Sequence, residues 1–324
     1  MSKILITGGA GYIGSVVANY LSKKHHVYVV DNLSVGRKKN LNNKVNFFKL
    51  DFADSKLLKI LKNFKIDTIM HFAASTSVPE SVKHPKKFYN NNFKKTEKLI
   101  LMINKSSIKN LLFASTCAVY GNPTNIPISE TSKLSPINFY GKSKLMCEWL
   151  IEDILNKDKK YLIFRFFNVI GSQPNLEAGH VDFKSSQLLN ALFLNIFNKN
   201  KFFFKVFGRN SSSSDGSCVR DYIDVNDLAI IFEKGMSYLK KNQSSIFNCG
   251  YNKGVTVLKM IKTFEKILNL KIKYKVTNSR KGDPQILVCD NKKIIQQLKW
   301  RPQFNNLKNS IKNSYEWFKK EFKK

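Results

Sequence analysis

The chain has 324 residues, 43% of them apolar, which is enough to bury a large core without staples. Its five cysteines, Cys117, Cys147, Cys218, Cys249 and Cys289, lie far apart with no C-x-x-C spacing, which argues against a disulfide framework and a zinc site, so no metal is expected and the thiols read as reduced in a cytoplasmic protein. The net charge is +32, but only six of the 55 basic residues are arginine and the lysines are spread along the whole length with no block of stacking aromatics, so the charge reads as compositional drift and no nucleic-acid partner is expected.

Lys3 to Ile6 reads as a strand and is far too short for a signal peptide or a membrane span, so no membrane association is expected. Thr7 to Gly14 is a glycine-rich turn, Ile13–Leu21 a helix and His26–Val30 a second strand, which makes a βαβ unit. Three glycines at spacing three, Gly8, Gly11 and Gly14, follow a strand and open a helix. There, backbone N–H groups can meet a pyrophosphate at the positive helix end, and Tyr12 and Ile13 of the same run are counted with them. Asp31 ends the second strand ~20 residues on, where a carboxylate accepts hydrogen bonds from ribose hydroxyls and repels a 2′-phosphate, favouring NAD over NADP; Asn32 follows it. Asp51 and Phe52, after the strand near Val45–Phe48, are placed on the adenine side.

Strands near Thr68–Phe72, Leu111–Ala114 and Leu162–Phe166 alternate with helices near Ser55–Phe64, Pro85–Asn104 and Tyr140–Asn156. This alternation predicts an α/β fold with a doubly wound, Rossmann-type parallel sheet. From about Asn168 the pattern loosens into longer loops, a helix around Ser185–Asn198 and a solvated serine run, Ser211–Ser214, so a smaller C-terminal substrate-binding region is placed there. The expected division is a NAD-binding domain over 1–167, with 219–250 returning to it, and a substrate-binding domain over 168–324.

Tyr140 follows Ser135-Pro136-Ile137-Asn138-Phe139, a loop leading into a helix, so Lys144 one turn on projects from the same face and should touch it. A tyrosine with a pKa near ~10 is a poor base at neutral pH unless a cation favours the phenolate. Lys144 is one such cation and an oxidised nicotinamide another. Ser115-Thr116 ends a strand of the sheet, where ligands gather, and Thr116 is the candidate hydroxyl partner. Together with the glycine cradle these residues predict nicotinamide redox chemistry on a sugar-like alcohol.

At these motifs the chain resembles the extended short-chain dehydrogenase/reductase family and, within it, the UDP-glucose 4-epimerases, over nearly its whole length. Matching stretches include Gly8 to Gly14, Asp31-Asn32-Leu33, His71-Phe72-Ala73-Ala74, Ser115 to Gly121, Tyr140 to Lys144, Arg165 to Asn168, Val219 to Ile223 and Arg280-Lys281-Gly282-Asp283. The resemblance implies that Tyr140 is the base, Lys144 the ribose-binding cation and Thr116 the hydroxyl partner. It places Phe72, Ala73, Ala74, Asn92, Ser115 and Phe167 at the cofactor, and it assigns Asn168, Arg220, Arg280 and Asp283 to the UDP portion. Guanidinium forks suit a diphosphate, and Arg220 and Arg280 are rare arginines in a lysine chain, whereas Arg165, at a strand end, is as readily structural.

Thr76 stands where several of these epimerases carry a lysine, the segment Leu176–Leu189 does not reproduce their substrate-loop pattern, and Leu287 occupies the position that limits the pocket beside the sugar's C2 substituent. The implied activity is NAD-dependent 4-epimerisation of UDP-glucose and UDP-galactose in a cytoplasmic homodimer. UDP-N-acetylhexosamine epimerisation and 4,6-dehydration or decarboxylation of a nucleotide sugar are the alternatives. Such dehydratases place Asp-Glu just after the Ser/Thr, where this chain has Cys117-Ala118.

Overall fold

A computed structural model of the protein describes the chain except residues 181, 183–186, 198–202, 209–212, 279, 281, 323 and 324. The described strands are β1 (Lys3–Thr7), β2 (His26–Asp31), β3 (Val45–Lys49), β4 (Thr68–His71), β5 (Asn110–Thr116), β6 (Lys160–Phe166), β7 (Asn168–Ile170), β8 (Phe204–Phe207), β9 (Val219–Asp224), β10 (Ser245–Cys249), β11 (Gly254–Thr256), β12 (Tyr274–Thr277) and β13 (Ile286–Leu287). The helices are α1 (Tyr12–Leu21), α2 (Leu57–Asn63), α3 (Val78–Lys83), α4 (Pro85–Phe88), α5 (Lys95–Asn104), α6 (Phe139–Ile154), α7 (Leu188–Phe197), α8 (Val225–Leu239), α9 (Val257–Leu268), α10 (Lys292–Leu298) and α11 (Leu307–Phe322).

Seven parallel strands form the main sheet in the order β10-β6-β5-β4-β1-β2-β3. Its strands are apolar at successive positions because both faces are buried. Ile4, Ile6, Val27, Val29, Leu112 and Phe164 pack under α1 and α8. Leu5, Val30, Ile69, Leu111, Phe113 and Ile163 alternate onto the other face, against α2, α5 and α6. The strand order reverses between β1 and β4, the topological switch point where ligands of such sheets bind. A separate apolar cluster joins α7, α9 and α11 through Phe193, Met260, Phe264, Ile311 and Phe318. Beside it lie the small sheet β11-β9-β13, with β7 on β9, and the pair β12-β8.

The helix expected over Pro85–Asn104 is interrupted. Residues Tyr89–Lys94 form a π-helical turn between α4 and α5, a widened geometry that recurs at functional sites. It carries Asn92, which is buried and bonds the backbone N–H and C=O of Ser75 at 2.8 and 3.0 Å. The helix expected from Ser55 begins at Leu57, after turns bonded to Asp54 and Ser55. The helix around Ser185–Asn198 is described from Leu188 to Phe197. Ser185 and Asn198 lie outside the described residues, as do Ser211 and Ser212 of the serine run and parts of the segment Leu176–Leu189. Among the described residues no helix is long and apolar enough to cross a membrane.

Candidate active site

The glycine run is shaped as a cradle of bare backbone. Gly8 has φ +69°, and a Cβ there would stand 2.6 Å from the backbone N and Cα of Ala73, where β1 and β4 part. A Cβ at Gly14 would run into the carbonyl oxygen of Gly8, so neither position admits a side chain. Gly11 is the N-cap of α1 and supplies no side-chain cap, which leaves first-turn N–H groups of the helix open to an anion. Tyr12 donates its hydroxyl to the carbonyl of Gly171 at 2.6 Å, tying α1 to the loop after β7. These features fit a dinucleotide pyrophosphate.

Asp31 accepts from the N–H of Ala10 at 3.0 Å and of Leu33 at 2.8 Å, so the carboxylate holds the glycine turn. Burial raises its pKa above the ordinary carboxylate range despite those bonds. Burial also acts on Asp51, but the ammonium of Lys95 at 2.6 Å and the N–H of Ala53 outweigh it and hold that carboxyl below its usual range. Asn32 donates to the same Asp51 oxygen at 3.1 Å. The Phe52 ring lies 4.9 Å from that of His71, whose two nitrogens meet the hydroxyls of Thr7 and Thr96 at 2.5 and 3.0 Å. Burial, aided by the charge of Lys144, pushes the His71 imidazole well below its usual pKa and keeps it neutral. The side chain of Phe72 joins the core by packing on Phe232 at 4.7 Å.

The Asn138 carboxamide caps α6 by accepting from the N–H of Gly141 at 2.7 Å, and so orients the first turn that carries Tyr140. Tyr140 and Thr116 both line a cavity at the end of β5, where Thr116 favours the phenolate, and the Thr116 hydroxyl accepts from the N–H of Ala118 at 3.1 Å. Burial pushes the Tyr140 phenol up to about 12, against the opposing effect of Thr116. Lys144 is buried with its ammonium 3.9 Å from the centroid of Phe113, and burial brings its amine down to about 8, which leaves it charged at neutral pH. Among the described residues no hydrogen bond joins Lys144 to Tyr140, and the ammonium stands over Phe113. Asn92 bonds Ser143 at 3.0 Å, so the π-helical turn braces α6 as well as the loop after β4.

A cavity of about 560 Å³ opens between the carboxyl edge of the main sheet and the smaller sheets. Ile13, Ser115, Thr116, Tyr140, Phe167 and Asn168 line it. Arg220, Arg280, Asp283 and Leu287 line it too, and Thr76 and Gln187 also reach it. The Arg220 guanidinium is aimed by three backbone carbonyls, those of Val219, Gln285 and Pro284, at 2.8, 3.1 and 2.6 Å. Arg280 pairs with Asp283 at 2.7 Å and rests over the ring of Phe207 at 4.4 Å. Leu287 is only 4% exposed and packs with Cys117, Phe167 and Cys289.

Several residues of this site carried no sequence signal. Lys95 is one lysine among many, Phe207 one of 25 phenylalanines, and Glu148, four residues after Lys144, reads as an ordinary helical charge pair. Arg165 proves structural: it is buried in a fork with Glu148, Nη2 to Oε2 at 2.7 Å and Nε to the same oxygen at 3.1 Å. Ser115 donates to the other oxygen of Glu148, so any contact of Ser115 with a cofactor would fall to its backbone.

The pattern of the NAD dependent epimerase/dehydratase family matches residues 4–250. The chain is 37% identical to a UDP-glucose 4-epimerase of Lactobacillus helveticus over 322 residues, which cover 98% of this chain and 97% of that one. Its fold is similar to the UDP-glucose-4-epimerase of Stenotrophomonas maltophila with bound NAD and formylated UDP-arabinopyranose, with a TM-score of 0.94 and 26% identity over 100% of this chain and 99% of that one. It is also similar to the UDP-Glc/GlcNAc 4-epimerase of Campylobacter jejuni, with a TM-score of 0.84 and 36% identity over 99% and 100% of the two chains.

Proposed function

The chain belongs to the NAD dependent epimerase/dehydratase family, and from that premise we propose that it is a 4-epimerase of UDP-hexoses, interconverting UDP-glucose and UDP-galactose. The observation that carries this reading is one cavity lined both by the hydroxyl residues Thr116 and Tyr140 and by two guanidinium groups, Arg220 and Arg280. Such a cavity grips a nucleotide diphosphate firmly and leaves few polar groups for the hexose, which must present either face of C4 to the same base.

The glycine cradle, Asp31 and Asn32, and the Asp51–Phe52 corner would hold NAD, with Phe72 to Ala74, Asn92, Ser115, Lys144 and Phe167 toward its reactive half. When bound there, NAD would supply a reversible hydride acceptor for C4 of the sugar. Tyr140 takes the 4-hydroxyl proton and gives it back, which is general acid–base work by a phenol. Thr116 holds that phenol and the sugar hydroxyl on one line, and Lys144 supplies the nearby positive charge that makes phenolate accessible. Arg220, Arg280, Asp283 and Asn168 keep the UDP portion in place while the hexose turns. A dehydratase would need a further acid and base beside Thr116. The neighbouring Cys117, pushed up to about 12 by burial, stays a neutral thiol and offers neither.

In this reading residues 1–167, with 219–250 returning to the same domain, hold the cofactor and 168–324 hold the sugar nucleotide; the addition of β10 to the main sheet supports the return, whereas β9, which carries Arg220, pairs in the smaller sheet on the sugar-nucleotide side. A homodimer is supported by two large apolar side chains, Leu101 on α5 and Trp149 on α6, which are 47% and 50% exposed on neighbouring helices. Five buried, unbridged cysteines support a reducing, cytoplasmic setting.

The test is to incubate purified protein with UDP-glucose, UDP-galactose and their N-acetyl counterparts and to follow interconversion. Turnover of the first pair is expected, and its absence rejects the reading. Denaturing the same preparation should release NAD, whereas recovery of NADP would reject the role of Asp31.

A further inference from the structure

Tyr140, Lys144 and Glu148 lie four residues apart, so they form one row along α6. Tyr140 stands at the cavity, Lys144 over Phe113 and Glu148 at the sheet. Glu148 is 1% exposed and Arg165 2%, far more buried than unpaired charges tolerate. The carboxylate is satisfied from two strands at once, by the Ser115 hydroxyl on β5 and by the Arg165 fork on β6, at positions directly opposite each other in the ladder. The fork is held in turn: Arg165 Nη1 donates to the Tyr120 hydroxyl at 2.8 Å, and that hydroxyl donates to Asn248 on β10 at 2.7 Å. One helix residue is thereby locked to three adjacent strands, and Ser115 is the immediate neighbour of Thr116.

We propose that Glu148 is a positioning residue, a latch that fixes the height and rotation of α6 on the sheet so that the Tyr140 phenol meets the Thr116 hydroxyl. It touches neither substrate nor cofactor, and the inference rests on the reading of Tyr140 and Thr116 given above. The Arg165 fork neutralises the carboxylate locally, so its effect on the row is mechanical more than electrostatic. An acid–base phenol and its hydroxyl partner tolerate little slip, since misplacement of a reacting group by about 1 Å costs on the order of 10² in rate.

The test uses Glu148→Gln, which keeps the shape and drops the charge, and Ser115→Ala, which leaves the ion pair intact and cuts the tie to β5. Both are compared with wild type as NAD-loaded protein. Expected is a fall in kcat per bound NAD of ~10-fold or more with KM for the UDP-sugar within about twofold, because Arg220 and Arg280, which grip UDP, are held by partners outside the Glu148 network. Amide exchange should quicken at Ala118, whose N–H reports the Thr116 hydroxyl, and at the first turn of α6, but not in β1. If Glu148→Gln does not fold, Ser115→Ala carries the test. Unchanged kcat and unchanged local exchange overturn the latch, and so does exchange that quickens everywhere alike. If wild type itself shows no turnover, the epimerase reading fails, and the exchange pattern alone still decides the latch.

Discussion

Leu287 offers the sharpest test of substrate choice, because it is a wall of the cavity and a member of the core at once. Leu287→Ser removes the three carbons beyond Cβ, which at ~0.8 kcal/mol per buried methylene-sized group costs about 2.4 kcal/mol, the low end of the range for emptying a core leucine. With an unfolding entropy of ~2.1 cal/mol/K per residue over this length, the change corresponds to a Tm about 3.5 °C lower, so the variant should remain folded. The space it opens lies beside the sugar in the reading above. Rejection or admission of a few atoms by such a wall is worth ~1–3 kcal/mol, or about 10–200-fold in kcat/KM. Wild type should therefore favour the UDP-glucose and UDP-galactose pair, since leucine fills that space and gives an acetamido group no polar partner. Leu287→Ser should raise kcat/KM for UDP-N-acetylglucosamine relative to UDP-glucose by about tenfold or more, and Leu287→Tyr should lower it while sparing the smaller pair. The assay is steady-state epimerisation of both pairs by the three proteins at one temperature well below Tm. Ratios that stay fixed while Tm falls as expected would show that Leu287 is core only and does not face the sugar.

Tyr140→Phe should lower kcat by on the order of 10² to 10⁴ with NAD still bound, and Thr116→Ala by less, since water can take over its hydrogen bond; near-normal turnover of the first variant rejects Tyr140 as the base. Arg220→Lys should weaken UDP binding, measured calorimetrically on the Tyr140→Phe background, because an ammonium cannot reproduce the fork that three carbonyls aim into the cavity. Unchanged affinity would remove Arg220 from the phosphate site. Asp224 is 1% exposed and burial raises its carboxyl to about 6, so folding there opposes ionisation. The penalty is full above pH 6 and is lost as pH falls toward the ordinary aspartate value. Asp224→Asn should therefore remove a loss of stability that wild type suffers as pH rises from about 4 to 6, whatever the substitution costs in hydrogen bonds, and a stability difference between the two that does not change with pH refutes the assignment. The proposed homodimer should appear in sedimentation of wild type and give way to monomer in Trp149→Glu; a monomeric wild type rejects the dimer, and a dimer unaltered by the substitution places its interface elsewhere.

Local sequence determined much of this protein. The βαβ rhythm, the two-faced apolar strands and the glycine run are short-range patterns, and each is realised within a residue or two at its ends. The spacing of Tyr140 and Lys144 fixed them on one helical row for the same reason, since a helix repeats whatever it packs against. What only the tertiary structure decided depends on residues distant in the chain. Arg165 and Glu148 are ordinary charges until β6 and α6 bury them together. The break of the Pro85–Asn104 helix into a π-helical turn follows from Asn92 reaching the backbone of Ser75, a partner no window of sequence contains. Arg220 became a directed fork only when the chain from Pro284 to Leu287 laid its carbonyls alongside β9. Hydrogen bonds over such separations are set by packing, because their cost and their reward are both decided by which surfaces lose water together.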